Sequence, residues 1–366
     1  IRMARSEVTH SAHVLGYYGA AANDLRGEAI TQQVPDAIGL VIHEPVGVVG
    51  IITPWNFPLS LVVRKVAPAL AAGCTIVAKP SHFTPAVTLM LAKLLTEAGL
   101  PDGVFNVVTS ETDNGALVGQ ELAGSNKVDM VAFTGSTEAG KAVARAAAGN
   151  IKKIALELGG KSPNIVFADC DMDEALKGAY NGIYLNSGQV CQAGTRLMVQ
   201  RDVKDEFVAR LIEMSRAIRM GDPLSPETAM GPVVNEKQFS RVKDYIARGR
   251  NEANLVFGGS QPQDPALEKG FFVSPTIFDE VGNQTTIAQE EIFGPVLSVM
   301  AFDTPEEAIT IANDTMYGLA SAVWTNNINT AFQVAKGIRA GTVWVNAYHN
   351  TSLNNMPYGG YKQSGL

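Results

Sequence analysis

The sequence predicts an α/β protein built from two parallel-sheet domains, and three observations carry that reading. The chain has 366 residues, too many for one ordinary hydrophobic core. Short, nearly continuous apolar runs recur along it, as strands buried on both faces of a parallel sheet require. Stretches of mixed polarity and helical length separate those runs, at the spacing of strand–helix–strand crossovers.

Taken in order, residues 5–22 read as a helix with small and apolar residues interleaved among polar ones. Residues 30–45 place Pro35 and Asp36 between two extended stretches, which reads as a hairpin. Strands follow at 46–53, 75–79, 104–108, 128–133 and 152–157, with helices at 59–72, 85–98, 113–123 and 137–148. The most apolar window, 67–78, is interrupted by Pro68 and Gly73. A second series has strands at 163–167, 196–200, 295–302, 320–325 and 341–345. Its helices are expected at 171–186, 203–217, 235–250, 304–314 and 328–338. Residues 221–235, with three prolines and no period, form the longest loop-like stretch. No repeat or low-complexity tract interrupts either series.

Composition narrows the function classes. Lys and Arg number 29 against 36 Asp and Glu, a net charge of −7, so a dense cationic face for nucleic acid or an anionic membrane is not expected. No apolar run reaches bilayer length and no signal peptide opens the sequence. Three cysteines do not make a disulfide framework, and a reducing, cytoplasmic setting is the default. No metal site is expected. The sequence opens at Ile1 and closes on YKQSGL, and both termini read as truncated.

Several short motifs can carry chemistry. FTGSTEAG, 133–140, follows a strand and opens a helix, with Gly135 and Gly140 bracketing Ser136, a good N-cap. Such a junction aims backbone N–H groups at an anion, although it is equally a tight strand-to-helix turn and is not the generic dinucleotide fingerprint. AKPSHFTP, 78–85, puts Lys79 at the carboxyl end of a strand, either facing a ligand crevice or simply solvated, and lets Thr84 cap a helix beginning at Pro85. TPWNFP, 53–58, holds Asn56 between prolines, as a turn residue or as an amide donor to a developing oxyanion. LELGGKSP sets Glu157 at the end of an apolar strand, where partial desolvation suits a general base and where Lys161 is an alternative ion-pair partner. GQVCQAG, 188–194, flanks Cys191 with glycines that would expose a thiol and admit close backbone approach. Cys74 reads instead as a small buried hydrophobe and Cys170 as a loop residue.

In this order the motifs resemble the aldehyde dehydrogenase superfamily. The matching stretches are PWNFP 54–58, KPS 79–81, FTGST 133–137, ELGGKSP 157–163, GQVCQAG 188–194, EEIFGPV 290–296 and PYGGYKQSG 357–365. The resemblance implies Cys191 as nucleophile, Asn56 with the Cys191 backbone N–H as oxyanion hole, and Glu157 as the base that activates water. It implies cofactor contacts from Trp55, Lys79, Ser81, His82, Gly135 and Ser136, with Glu291 and Phe293 at the nicotinamide ribose. It places Phe57 and Tyr358 along an aldehyde tunnel. The cofactor it implies is NAD or NADP, and the partner a small-molecule aldehyde. A homo-oligomer, dimer or tetramer, is expected in the complete protein, joined through a β-hairpin arm. The implied domains are a Rossmann-like cofactor domain at 1–26 and 46–157, an oligomerisation hairpin at 27–45, a catalytic domain at 158–349, and a return segment at 350–366. The reaction the resemblance implies is aldehyde oxidation to a carboxylic acid through a thiohemiacetal and a thioester on Cys191, the thioester being hydrolysed by water that Glu157 activates.

Two positions depart from the commonest pattern. His82 stands where relatives often carry a Glu that repels a 2′-phosphate, so tolerance of NADP is expected. Arg64 lies about two helical turns beyond Asn56, eight residues on, a spacing that can return to a similar helix face, and relatives that oxidise carboxylate-bearing semialdehydes have an Arg there. A structural ion pair is the other reading of Arg64. The competing functional classes are an inactive fragment or binding module of this fold, and a cofactor-independent thiol esterase using Cys191 and Glu157.

Overall fold

A computed structural model describes residues 1–31, 35–111, 115–349 and 354–366. The chain divides into two compact units, Arg2–Leu156 and Glu157–Leu366, the latter together with Ile1.

The first unit opens with helix α1 (Arg2–Ala21) and a hairpin of two short strands, β1 (Glu28–Ile30) and β2 (Gly39–Val41), paired antiparallel. Part of the hairpin loop, 32–34, lies outside the described residues. Ile38, Leu40 and Ile42 stand out from the hairpin, each more than two-thirds exposed. Then follow β3 (Val48–Ile52), α2 (Ser60–Ala71), β4 (Thr75–Lys79), α3 (Pro85–Glu97), β5 (Phe105–Val107), α4 (Gly115–Gly124), β6 (Met130–Thr134), α5 (Thr137–Ala147) and β7 (Lys153–Glu157). Their sheet has the order β5-β4-β3-β6-β7. The chain builds outward from β3 to β4 and β5, then crosses back to place β6 on the other side of β3, and β3 runs parallel to both neighbours. Val49 and Ile51, with Val62, Val63 and Val66 of α2 and Ile76 of β4, form the core against α1.

Two local features differ from sequence expectation. Pro68 does not break its window, because α2 runs through it to Ala71. The N-terminus of α2 is capped from a distance: the Glu7 carboxylate of α1 accepts from the backbone N–H of Leu59 and of Ser60, each at 2.9 Å. A carboxylate there also meets the positive end of the helix dipole.

The second unit contains β8 (Pro163–Val166), α6 (Met172–Tyr184), β9 (Arg196–Gln200), α7 (Arg201–Arg216), α8 (Glu236–Glu252), β10 (Asn254–Phe257), β11 (Thr276–Asp279), α9 (Thr286–Gln289), β12 (Val296–Phe302), α10 (Pro305–Asn313), β13 (Ala320–Trp324), α11 (Ile328–Gly337) and β14 (Thr342–Val345). Its sheet order is β10-β11-β12-β9-β8-β13-β14, parallel from β11 to β14 with β10 antiparallel at the edge. Alternation on β12 divides the core: Leu297 and Val299 face α6 and α7, while Val296, Met300 and Phe302 face the layer of α8 to α11. Arg196 is fully buried at the start of β9. Its guanidinium donates to the carbonyls of Lys161, Ile311 and Ala312 and to Asn283 Oδ1, at 2.7–3.1 Å. It thereby ties the segments at Lys161 and Asn283 and the end of α10 to the start of β9. Among the described residues no helix is long and apolar enough to cross a membrane.

Candidate active site

In the first unit, the expected cofactor residues gather at one edge of the sheet. Ile52 pairs with Lys79 on one side and with Phe133 on the other, so the carboxyl ends of β4, β3 and β6 lie side by side. The loops leaving them carry Trp55, Asn56 and Phe57 after β3, Ser81 and His82 after β4, and Gly135 and Ser136 after β6. The strand order reverses between β3 and β6, the switch point at which open α/β sheets bind ligands. Ser136 caps α5, its Oγ accepting from Ala139 N–H at 3.3 Å. Gly135 packs so close to the Phe133 ring that a Cβ would sit 2.5 Å from it. Thr84 occupies the expected position before Pro85, but its side chain makes no cap bond. Ser81 orders that turn instead, its carbonyl accepting from Thr84 N–H and its Oγ from Phe83 N–H.

Lys79 is not a solvated strand-end lysine. It is 7 % exposed, its Nζ reaches among the described residues only the Pro80 carbonyl, at 3.4 Å, and burial holds its pKa below the usual lysine range. A buried ammonium at the carboxyl end of a strand next to the sheet switch point, two strands from the capped N-terminus of α5, suits a dinucleotide's phosphates and ribose. His82 stacks on Phe83 with ring centroids 3.9 Å apart. Asn56, half-buried, sits in the bend before α2, which starts at Ser60. Asn56 and Arg64 therefore do not share a helix face, and the eight-residue spacing carries no argument.

In the second unit, four motifs meet at one turn, Gly159–Gly160. The first is ELGGKSP itself, which brings Glu157 into the turn. The second is the Cys191 loop. A Cβ on Gly160 would lie 2.4 Å from the Cys191 carbonyl oxygen, so only glycine lets the two backbones approach this closely. The third is EEIFGPV. Glu291 Oε1 accepts from Gly160 N–H at 3.1 Å, and its Oε2 fills the space a Cβ on Gly159 would need. Burial pushes the Glu291 carboxyl up to about 7, against the opposing pull of the Gly160 N–H and Lys161. The fourth is PYGGYKQSG. Leu158 N–H donates to the Ser364 carbonyl, Ser364 Oγ donates to the Gly159 carbonyl at 2.7 Å, and Gly365 bridges Glu157. Tyr358, 37 % exposed, lies on this returning segment. Its neighbours 350–353 are outside the described residues.

The glycines around Cys191 do other work than the sequence suggested. Gly188 has a left-handed φ of +73°, and a Cβ there would strike the Gly294–Pro295 backbone at 2.2 Å. Gly188 thus fastens the loop to EEIFGPV rather than opening it to a substrate. Asn186 and Ser187 share the left-handed conformation, so three consecutive residues turn the chain sharply into the Cys191 loop. Tyr348 OH donates to the Gln192 carbonyl at 2.7 Å, and Gln189 bridges Asn186 and Val234. Cys191 itself is half-buried. Cys74 is sealed in the core, and the Cys170 thiol is pushed up to about 11 by burial and by Asp169 and Asp171. Neither of those sulfurs is a competitive nucleophile.

Some contributors escaped the sequence. Helix α8 threads the Glu291 loop with one polar face: Gln238 donates to the carbonyls of Ile292 and Phe293, Arg241 to that of Glu291, and Tyr245 OH to Glu290 Oε2. Phe293 takes a φ of +62° within that grip. The i, i+3, i+7 spacing of Gln238, Arg241 and Tyr245 marks a face but not its target. Lys161 is 1 % exposed and its Nζ has no hydrogen-bond partner among the described residues, so it is not the partner of Glu157. Among the described residues no cluster of three or more His, Cys, Asp or Glu could hold a metal ion.

Comparison with known proteins agrees with this arrangement. The chain is 47 % identical to the betaine aldehyde dehydrogenase of Bacillus subtilis over 363 residues, covering 99 % of this chain and 73 % of that protein. Its fold matches the crystal structure of an NAD-dependent aldehyde dehydrogenase from Sinorhizobium meliloti with a TM-score of 0.95 at 45 % identity, covering 100 % of this chain and 71 % of that one. It matches the betaine aldehyde dehydrogenase of Staphylococcus aureus, solved in complex with NAD+, with a TM-score of 0.95 at 41 % identity, covering 99 % and 71 %. The family model for the aldehyde dehydrogenase family matches residues 1–366. With its motifs folded around one glycine turn and its sequence matched from end to end, the chain belongs to the aldehyde dehydrogenase family.

Proposed function

We propose that the protein oxidises an aldehyde to a carboxylic acid with NAD(P)+, using Cys191 as nucleophile, Asn56 as oxyanion donor and Glu157 as general base. The observation that carries the reading is the docking of the Cys191 backbone onto the turn that follows Glu157, with Glu291 on the same turn. The Cys191 thiolate adds to the aldehyde carbon, and the oxygen that gains charge accepts from the Asn56 amide and the Cys191 N–H. A nicotinamide cofactor would supply the hydride acceptor for this carbon. Lys79 and the Ser136-capped helix would hold its phosphate end, and Glu291 would accept from its ribose hydroxyls. Glu157 then takes a proton from water as the oxygen attacks the thioester carbon, and the Cys191 sulfur leaves. His82 in place of an acid permits a 2′-phosphate, so NAD is used and NADP tolerated. By the family resemblance alone, Arg64 would meet the carboxylate of an aldehyde that carries one. The exposed apolar hairpin supports assembly as a homo-oligomer.

The test follows reduced-nicotinamide absorbance with a panel of aldehydes, in wild type, Cys191→Ser and Glu157→Gln. Wild type turns over; Cys191→Ser is silent; Glu157→Gln gives one burst and then slows by roughly 10²–10⁴-fold. Nicotinamide-independent hydrolysis of p-nitrophenyl acetate with no aldehyde oxidation would replace the reading by a thiol esterase. No turnover of either kind would mark a binding module.

A further inference from the structure

Lys161 is a buried charge that this chemistry leaves unused. Its side chain is sealed, and its Nζ has no hydrogen-bond partner among the described residues. An ammonium in that state is costly unless a nearby charge compensates it. The turn that delivers it there, Gly159–Gly160, is the one that receives Glu291. Lys161 therefore follows directly on the chain the turn whose Gly160 N–H donates to the Glu291 carboxylate.

The charged and titratable groups around the pair come from several elements: Arg196 on β9, Arg241 and Tyr245 on α8, Glu290 beside Glu291, and Tyr317 in the loop after α10. Most are committed elsewhere. Arg196 is spent on three carbonyls and Asn283, Arg241 on the Glu291 backbone carbonyl, and Glu290 accepts from Tyr245. Glu291 is the leading acid acting on the Lys161 ammonium.

We propose that Lys161 is a positioning residue for Glu291, its ammonium holding that carboxylate in the charged form that receives the ribose hydroxyls of the nicotinamide cofactor. The proposal rests on the reading of Glu291 as a ribose ligand. Burial, reinforced by Arg196, pulls the Lys161 ammonium down to about 7, and burial pushes the Glu291 carboxyl up to about 7. The sign is fixed by charge. A protonated Lys161 favours ionised Glu291, so removing that charge leaves Glu291 protonated up to a higher pH. The acid limb of cofactor affinity must then move upward in pH.

The experiment measures the NAD+ dissociation constant by quenching of intrinsic fluorescence across neutral pH, with no turnover required. Wild-type affinity falls on acidification. Lys161→Met moves the midpoint of that fall upward by on the order of one pH unit, about tenfold weaker binding on the limb. Lys161→Arg, which keeps the charge, restores the wild-type midpoint. Glu291→Gln abolishes the limb and tests the same idea without altering the buried amine. An unshifted midpoint in Lys161→Met, or a limb surviving in Glu291→Gln, overturns the role of Lys161. Wild type that binds no NAD+ at any pH overturns the cofactor reading itself, a distinct result.

Discussion

Substituting Gly160 by alanine tests whether one turn really organises the candidate site. The added Cβ would lie 2.4 Å from the Cys191 carbonyl oxygen and 3.3 Å from Leu319 Cβ. Ordinary contact begins at 3.4 Å, so the Cys191 peptide must retreat by 3.4 − 2.4 = 1.0 Å. The obstacle is backbone, held by the Tyr348–Gln192 bond and by Gly188 against Gly294, and cannot swing aside as a side chain would. Overpacking of this kind costs about 1–3 kcal/mol. At about 2–4 °C per kcal/mol for a unit of this size, the melting temperature should fall by roughly 2–12 °C. The functional loss should be larger in proportion, because a displacement near 1 Å in a reacting group can cost on the order of 10²-fold in rate. The assay pairs a thermal melt with iodoacetamide labelling read by peptide mass. Cys191 is the sulfur that reports, since Cys74 is sealed and the Cys170 thiol is pushed up to about 11. Gly149→Ala is the control: its Cβ would meet nothing within 4 Å, and it should change neither reading. A Gly160→Ala protein with wild-type melting temperature, Cys191 labelling and turnover would refute the argument that this contact sets the position of the sulfur.

Two further outcomes follow from buried charge. Lys204→Met should cost about 2–4 kcal/mol, because Lys204, 7 % exposed, is paired with Asp279 at 2.9 Å and with Glu280, and its loss strands a half-buried carboxylate; a urea midpoint equal to wild type would count against this. Lys161→Met should do the opposite, raising stability near neutral pH by on the order of 2–4 kcal/mol. The Lys161 pKa in the folded protein, about 7, lies below that of the unfolded chain. Between the two values the unfolded chain binds the extra proton, so wild-type stability rises with pH there and the methionine variant lacks that rise. Urea midpoints at neutral and alkaline pH measure both effects, and a destabilised Lys161→Met would show that the amine is structural.

The sequence reading and the structure part company for physical reasons. Nearly continuous apolar runs such as 75–79 and 196–200 were legible because a strand buried on both faces needs no neighbour to declare it. Strands β10 and β11 and helix α9 were not, since each is four residues long and owes its form to what it packs beside. The motif residues were legible as chemistry, yet their partners were not. Glu7 caps a helix some fifty residues away, and the polar face of α8 grips a loop equally distant. Lys161 shows the limit most clearly. In the sequence it is a charged residue after two glycines, four residues beyond Glu157, and an ion pair with Glu157 is the economical reading. The fold reverses that by using the glycines for close backbone approach: Gly160 admits the Cys191 carbonyl, Gly159 admits the Glu291 carboxylate, and the next side chain is left pointing into the protein with nowhere to be hydrated. A lysine kept in so costly a place, on the turn that receives a carboxylate which burial pushes toward its neutral form, stabilises nothing on its own account. What it can supply is charge to Glu291, and for that reason stability and cofactor affinity should move in opposite directions when it is removed.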